Sequence, residues 1–124
     1  KQFHAYEPIP GIHINGHATL GENIADFGGI ELGLDAFKKT EQYKEGKTIA
    51  GYTPLQRYFL GYALGWLGHQ KEDRLRSRLL SDVHSPAKWR VNGPFSNVPE
   101  FYEAFHIKQG QPMWRPDSLR VKIW

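Results

Sequence analysis

The chain has 124 residues, 40% of them hydrophobic and 23% charged, which fits one folded domain with a modest core rather than a disordered chain. It has no cysteine, so disulfides and thiolate metal ligands are excluded. No apolar run approaches the roughly 20 residues of a membrane span, and the formal net charge of +3 is mild.

Residues 1–18 carry Pro8, Pro10, Gly11 and Gly16 and read as an irregular lead-in, with a short strand pair around "IHINGHA" turning at Asn15-Gly16. A helix is predicted from Thr19 to about Lys39. Thr19 and Glu22 have capping-box spacing, and Ile24, Phe27, Ile30, Leu34 and Phe37 recur at intervals of three and four. Gly28, Gly29 and Gly33 weaken this helix and suggest close packing against another element. A polar connection follows, ending near Gly46.

Thr53-Pro54-Leu55-Gln56 then opens the clearest helix, with an N-cap, a proline in the first turn and a closing Gln. Leu55, Phe59, Tyr62, Ala63, Trp66 and Leu67 form its apolar stripe. Gly61, Gly65 and Gly68 imply a close contact on another side; Arg57 and the short apolar length argue against a membrane dimer. "KEDRLRSRLLSD" is a short basic amphipathic helix. Pro86, Gly93 and Pro94 predict a loop over "VHSPAKWRVNGPF". Asn97 and Glu100 cap one more short helix, "PEFYEAFHI", before an irregular tail. The fold class is all-α with long structured loops.

Glu22 and Asp26 are four residues apart, roughly 40° from each other around a helix, so both carboxylates leave one face. Two like charges there repel by a few tenths of a kcal/mol unless something compensates. On spacing alone, Glu22 reads as a capping residue and Asp26 as a surface charge. In a cleft, Glu22 would instead ligate a metal, and Asp26 would accept a hydrogen bond from the far nitrogen of a ligating imidazole. His84, before Ser85-Pro86, reads alone as a loop histidine, and Arg90 as a partner for Glu100 or Glu103.

Three blocks in order decide between these readings: "GENIADFGG", "DVHSPAKWRVNGPFSNVPEFYEAF" and the terminal "VKIW". Together they span nearly the whole chain, and it resembles the neprilysin-like zinc metalloendopeptidases, the family of neprilysin and the endothelin-converting enzymes. The resemblance implies the C-terminal helical subdomain of a thermolysin-like zinc peptidase. It implies that Glu22 is the third protein ligand of a catalytic zinc and that Asp26 orients a zinc-bound histidine. It further implies that His84 stabilises the oxyanion of the tetrahedral intermediate, that Asp82 holds that imidazole oriented and protonated, and that Arg90 binds the main chain of a peptide substrate. These residue types suit that chemistry: a zinc held by two His and one Glu keeps a position for water, a cationic His meets the developing charge, and an Arg fork grips a carbonyl or carboxylate.

Such peptidases also need His-Glu-x-x-His on a helix, and the six histidines do not supply it. His13-x-x-x-His17 has ligand spacing, but Asn15 and Gly16 break the helix and no Glu lies between. Residues 1–124 are therefore expected to be the C-terminal portion of a peptidase catalytic domain, cut after the first zinc helix; the first residue is Lys. Val121 stands where many animal members have Cys, which with the absence of cysteine suggests a prokaryotic member. The isolated chain is expected to be inactive and a weak zinc binder. Its expected partners are a peptide substrate and the N-terminal part of the same peptidase, with no nucleic acid and no membrane span, in the periplasm, at the cell surface or secreted rather than in the cytoplasm. The alternative is a non-catalytic helical module that binds an anionic partner through residues 71–90, which hold six of the sixteen Lys and Arg. A family member that lost its zinc helix and kept a structural role is the third possibility.

Overall fold

The computed structural model describes all 124 residues, and its order is entirely helical. Six α-helices follow in sequence: α1 Leu20–Lys38, α2 Glu41–Lys44, α3 Pro54–Leu64, α4 Glu72–Ser81, α5 Ala87–Phe95 and α6 Pro99–Phe105. Two single 3-10 turns, Phe3–Ala5 and Asp117–Leu119, flank them. The only β pairings are isolated bridges, Ile9 with Ile12 and Ile49 with Tyr52. The all-α expectation is met, and the strand pair expected around "IHINGHA" does not form. Asn15 is the reason. Its Oδ1 accepts from the backbone N–H groups of His17 and Ala18, and its carbonyl accepts from Thr19, which turns the chain into α1 instead of into a hairpin.

The core lies where α1 packs on α5 and α3 packs on α6. Phe27, Ile30 and Leu34 are the α1 positions whose spacing faces inward, and they meet Phe59 of α3, Phe95 of α5, and Phe101 and Ala104 of α6. Phe59 is the hub. Its ring makes edge contacts with Phe95 at 4.9 Å and Phe101 at 5.4 Å between centroids, the arrangement aromatic quadrupoles favour. Ile24, placed by its spacing in the same stripe, is instead exposed on the flank of α1.

The α3 start forms as its sequence predicts. The Thr53 hydroxyl accepts from the Gln56 N–H, and the Gln56 side chain accepts from the Thr53 N–H. The other two predicted caps do not form, because tertiary bonds claim their side chains. The Thr19 hydroxyl donates to the Asn15 carbonyl and accepts from the Asn23 amide, so it caps nothing and Glu22 closes no box. Asn97 donates to the Gly93 carbonyl and to Gln2, and accepts from the Val121 N–H, tying the two chain ends to α5.

The loop predicted over residues 83–95 is largely helix α5. Pro86 stands just outside its first turn, where a missing N–H costs nothing. Pro94 falls in its last turn, and the Tyr62 hydroxyl bonds the Arg90 carbonyl that Pro94 cannot reach, at 3.4 Å. Gly93 is needed because the Phe3 ring lies where a Cβ would be, within 2.5 Å. Gly33 likewise admits the Tyr58 hydroxyl, which donates to the Ile30 carbonyl at 2.6 Å. By contrast, no neighbour crowds Gly29, Gly61 or Gly68, and Trp66 and Leu67 lie beyond the end of α3. The close contact expected along the α3 glycines is absent. No helix is long and apolar enough to cross a membrane.

Candidate metal-site wall and its support

The N-terminal half of α1, the α4–α5 loop and α5 meet, and they bring together residues more than fifty positions apart. Glu22 and Asp26 project from α1, Asp82 and His84 lie on the loop that leaves α4, and Arg90 projects from α5. All five side chains join one continuous polar network.

Arg90 and Asp26 are its more buried end. The Arg90 Nε donates to Asp26 Oδ2 at 2.7 Å and its Nη2 donates to Oδ1 at 2.6 Å, a bidentate pair whose side chains are 15% and 10% exposed. The Arg90 guanidinium also lies over the Trp66 ring, 4.2 Å from its centre. The hydrogen bonds to Asp26 raise the Arg90 pKa above its ordinary value and outweigh the cost of burial. The pairs Arg90–Glu100 and Arg90–Glu103, open from sequence, do not form; Glu100 pairs with Lys38 instead.

Glu22 is the exposed end. Its side chain is 40% exposed, and its Oε2 lies 3.2 Å from His84 Nε2 and 3.7 Å from Arg90 Nη2. The like-charge penalty between Glu22 and Asp26 is thus offset by Arg90, which stands between them. His84 is aimed from behind. Asp82 Oδ1 accepts both from the His84 backbone N–H at 2.9 Å and at its Nδ1, 2.7 Å away. That bond places the Nδ1 proton toward Asp82 and leaves Nε2 turned to Glu22.

The same two bonds hold the Asp82 carboxyl down at about 2, from an ordinary 3.8, with Arg78 adding a smaller contribution. A depressed carboxyl stabilises the fold above its unfolded pKa and loses that contribution as pH falls toward the folded value. Asp82→Asn is therefore expected to lower the unfolding temperature at pH 6, and the gap to the parent chain is expected to close between about pH 4 and pH 2. Thermal unfolding followed by circular dichroism across that range checks it; a gap unchanged at pH 2 would contradict the bond.

Residues without an obvious signal support this arrangement. Ser85 Oγ donates to Asn23 Oδ1 at 2.7 Å, and the Asn23 amide donates to Thr19; all three are buried. This chain clamps the His84 loop onto α1 beside Glu22. Ser85 and Asn23 flank key residues, but nothing in their spacing links positions 62 apart. Arg78 donates to Asp82 Oδ2 at 2.7 Å, and its i,i+4 relation to Asp82 was the available signal. His13 and His17 lie in the lead-in to α1, away from this network, where the His13 ring stacks on that of His4. In the basic segment, Arg76 pairs with Glu72, Arg78 with Asp82 and Arg90 with Asp26, so half of its six cations are spent within the chain.

The donor set fits part of a zinc site. Glu22 presents an uncapped, half-exposed carboxylate of the right chemistry, while no three His, Asp or Glu side chains of this chain converge on one point.

Comparison with known proteins gives the same direction. The family model for peptidase family M13 matches residues 1–121. The chain is 37% identical to mouse membrane metallo-endopeptidase-like 1 over 97% of this chain and 16% of that protein, and 36% identical to human endothelin-converting enzyme 1 over 98% and 16%. Among solved structures it is similar to the Mycobacterium tuberculosis zinc metalloprotease Zmp1 in complex with an inhibitor, with a TM-score of 0.88 and 35% identity over 99% of this chain and 20% of that one. PepO from Lactobacillus rhamnosis superposes with a TM-score of 0.82 at 32% identity. The chain spans about a sixth of the length of the curated relatives it matches.

Proposed function

The chain belongs to peptidase family M13, and on that premise we propose that residues 1–124 form the C-terminal portion of a zinc endopeptidase domain that cleaves short peptides. The single observation that carries this reading is the convergence of Glu22, Asp26, Asp82, His84 and Arg90 on one network.

In this reading Glu22 would hold the zinc, together with ligands from outside these residues. A zinc ion supplies Lewis acidity and an activated water there. Asp26 receives two N–H groups from Arg90, one on each oxygen. Each oxygen keeps a lone pair, so Asp26 can also orient a ligating imidazole. Arg90 has five N–H donors and gives two to Asp26, which leaves three for a substrate carbonyl or carboxylate. The His84 Nε2 lies on the side of Glu22 and, in the imidazolium form, can donate to an oxygen that gains negative charge as the peptide bond is attacked. Asp82 keeps the opposite nitrogen protonated. The location proposed for the parent protein is the periplasm, the cell surface or the exterior.

The experiment compares two proteins. The full-length protein carrying this segment is expected to bind zinc and to cleave a short peptide in a chelator-sensitive way. The 124-residue chain alone is expected to do neither, because a single carboxylate makes no stable site. Chelator-sensitive cleavage by the isolated chain, or its absence from the full-length protein, would contradict the proposal.

A further inference from the structure

We propose that Arg78 is a positioning residue for this site: by occupying one oxygen of Asp82 it fixes the carboxylate that aims His84. The inference rests on the reading of His84 as a group that meets the substrate.

The two oxygens of Asp82 are divided between two elements. Oδ2 accepts from Arg78 Nε at 2.7 Å and lies 2.6 Å from Arg78 Nη2. Oδ1 serves the loop alone, taking the His84 backbone N–H at 2.9 Å and meeting its Nδ1 at 2.7 Å. A carboxylate held only by Oδ1 can turn about its last bond and exchange its oxygens, because that torsion is broad and two-fold. A second set of bonds on Oδ2 stops the exchange. Arg78 therefore orients His84 through Asp82, as outer partners orient the ligating side chains of metal sites.

The helix adds a second hold. The chain leaves α4 at Asp82 in an extended conformation, and the Asp82 N–H still bonds the Arg78 carbonyl at 2.8 Å. Arg78 thus grips both the backbone and the side chain of Asp82. Packing does not do this, since α4 buries none of its residues. Nor is Arg78 diverted elsewhere: its neighbour Arg76 takes Glu72, one turn back on the helix. Of the three α4 arginines, Arg78 is the one that reaches the site.

The test uses Arg78→Leu and Arg78→Lys. In the full-length protein, Arg78→Leu is expected to lower kcat for peptide hydrolysis about fivefold with KM unchanged, the upper end for a partly exposed ion pair. Arg78→Lys is expected to recover most of it, because an ammonium still meets Oδ2. In the 124-residue chain, proton NMR is expected to find a slowly exchanging His84 Nδ1–H signal in the parent chain and in Arg78→Lys, broadened by exchange in Arg78→Leu. An unchanged kcat and an unchanged signal in Arg78→Leu would overturn the proposal. So would equal losses in both variants that track a drop in unfolding temperature, which would assign Arg78 to the folding of α4. If the full-length protein has no peptidase activity, the proposed function fails, and the His84 proton signal still decides on Arg78.

Discussion

Asp26→Ala is expected to cost the 124-residue chain on the order of 2 kcal/mol of unfolding free energy, below the ~3–5 kcal/mol for breaking a fully buried ion pair because this one is part-buried. Exposed pairs are worth less, at most about 1 kcal/mol. What selects the larger figure is burial: the side chains of Asp26 and Arg90 are 10% and 15% exposed, and their two hydrogen bonds are 2.7 Å and 2.6 Å long. Removing Asp26 strands a guanidinium between α1 and α5. Glu22 offers it little relief from 3.7 Å away, and the Trp66 ring offsets only part of the loss. Asp26→Asn is expected to cost less, since the amide oxygen can still accept one of the two bonds. Urea unfolding of the three proteins checks this. A loss under about 0.5 kcal/mol for Asp26→Ala would place it with ordinary surface substitutions and contradict the pair.

Local signals were legible in the sequence, and tertiary claims on side chains were not. Thr53 and Gln56 form their capping box because the one tertiary bond of Gln56, from its Nε2 to the Ala104 carbonyl, leaves its Oε1 free for the Thr53 N–H. Thr19 and Asn97 carry the same signal and are taken by Asn15, Asn23, Gln2 and Val121, none of which is marked by spacing. The prolines around α5 read as breakers, since the rule for Pro is local. Pro86 in fact sits where a helix tolerates it, and the Tyr62 hydroxyl takes over the bond that Pro94 cannot make. The site follows the same division. The shared face of Glu22 and Asp26 follows from helix geometry, and the roles proposed for Asp82, His84 and Arg90 rest on the resemblance. That Arg90 is the partner of Asp26 was not legible, because 64 residues separate them and Glu100 and Glu103 lay nearer in sequence. Ser85 and Asn23 act through neighbours and leave no pattern of their own, while Arg78 leaves only its i,i+4 spacing to Asp82.

The second large effect is on metal rather than on stability. Glu22 is half-exposed and caps no helix, so Glu22→Ala is expected to change unfolding free energy by no more than about 0.5 kcal/mol. Its expected effect on zinc is far larger. Removing a residue that merely supports a ligand lowers metal affinity about 10- to 100-fold, and removing a ligand should exceed that. Asp26→Ala and Glu22→Ala thus separate: the first weakens the fold, and the second leaves a folded protein without its metal. The direct measurement is zinc content after equilibrium dialysis of the full-length protein and its Glu22→Ala variant against the same buffered zinc. About one zinc per molecule is expected in the former, with loss of more than about 100-fold in affinity and of peptide cleavage in the variant. Equal zinc content and equal cleavage in the two proteins would contradict the assignment of Glu22 as the ligand this chain contributes.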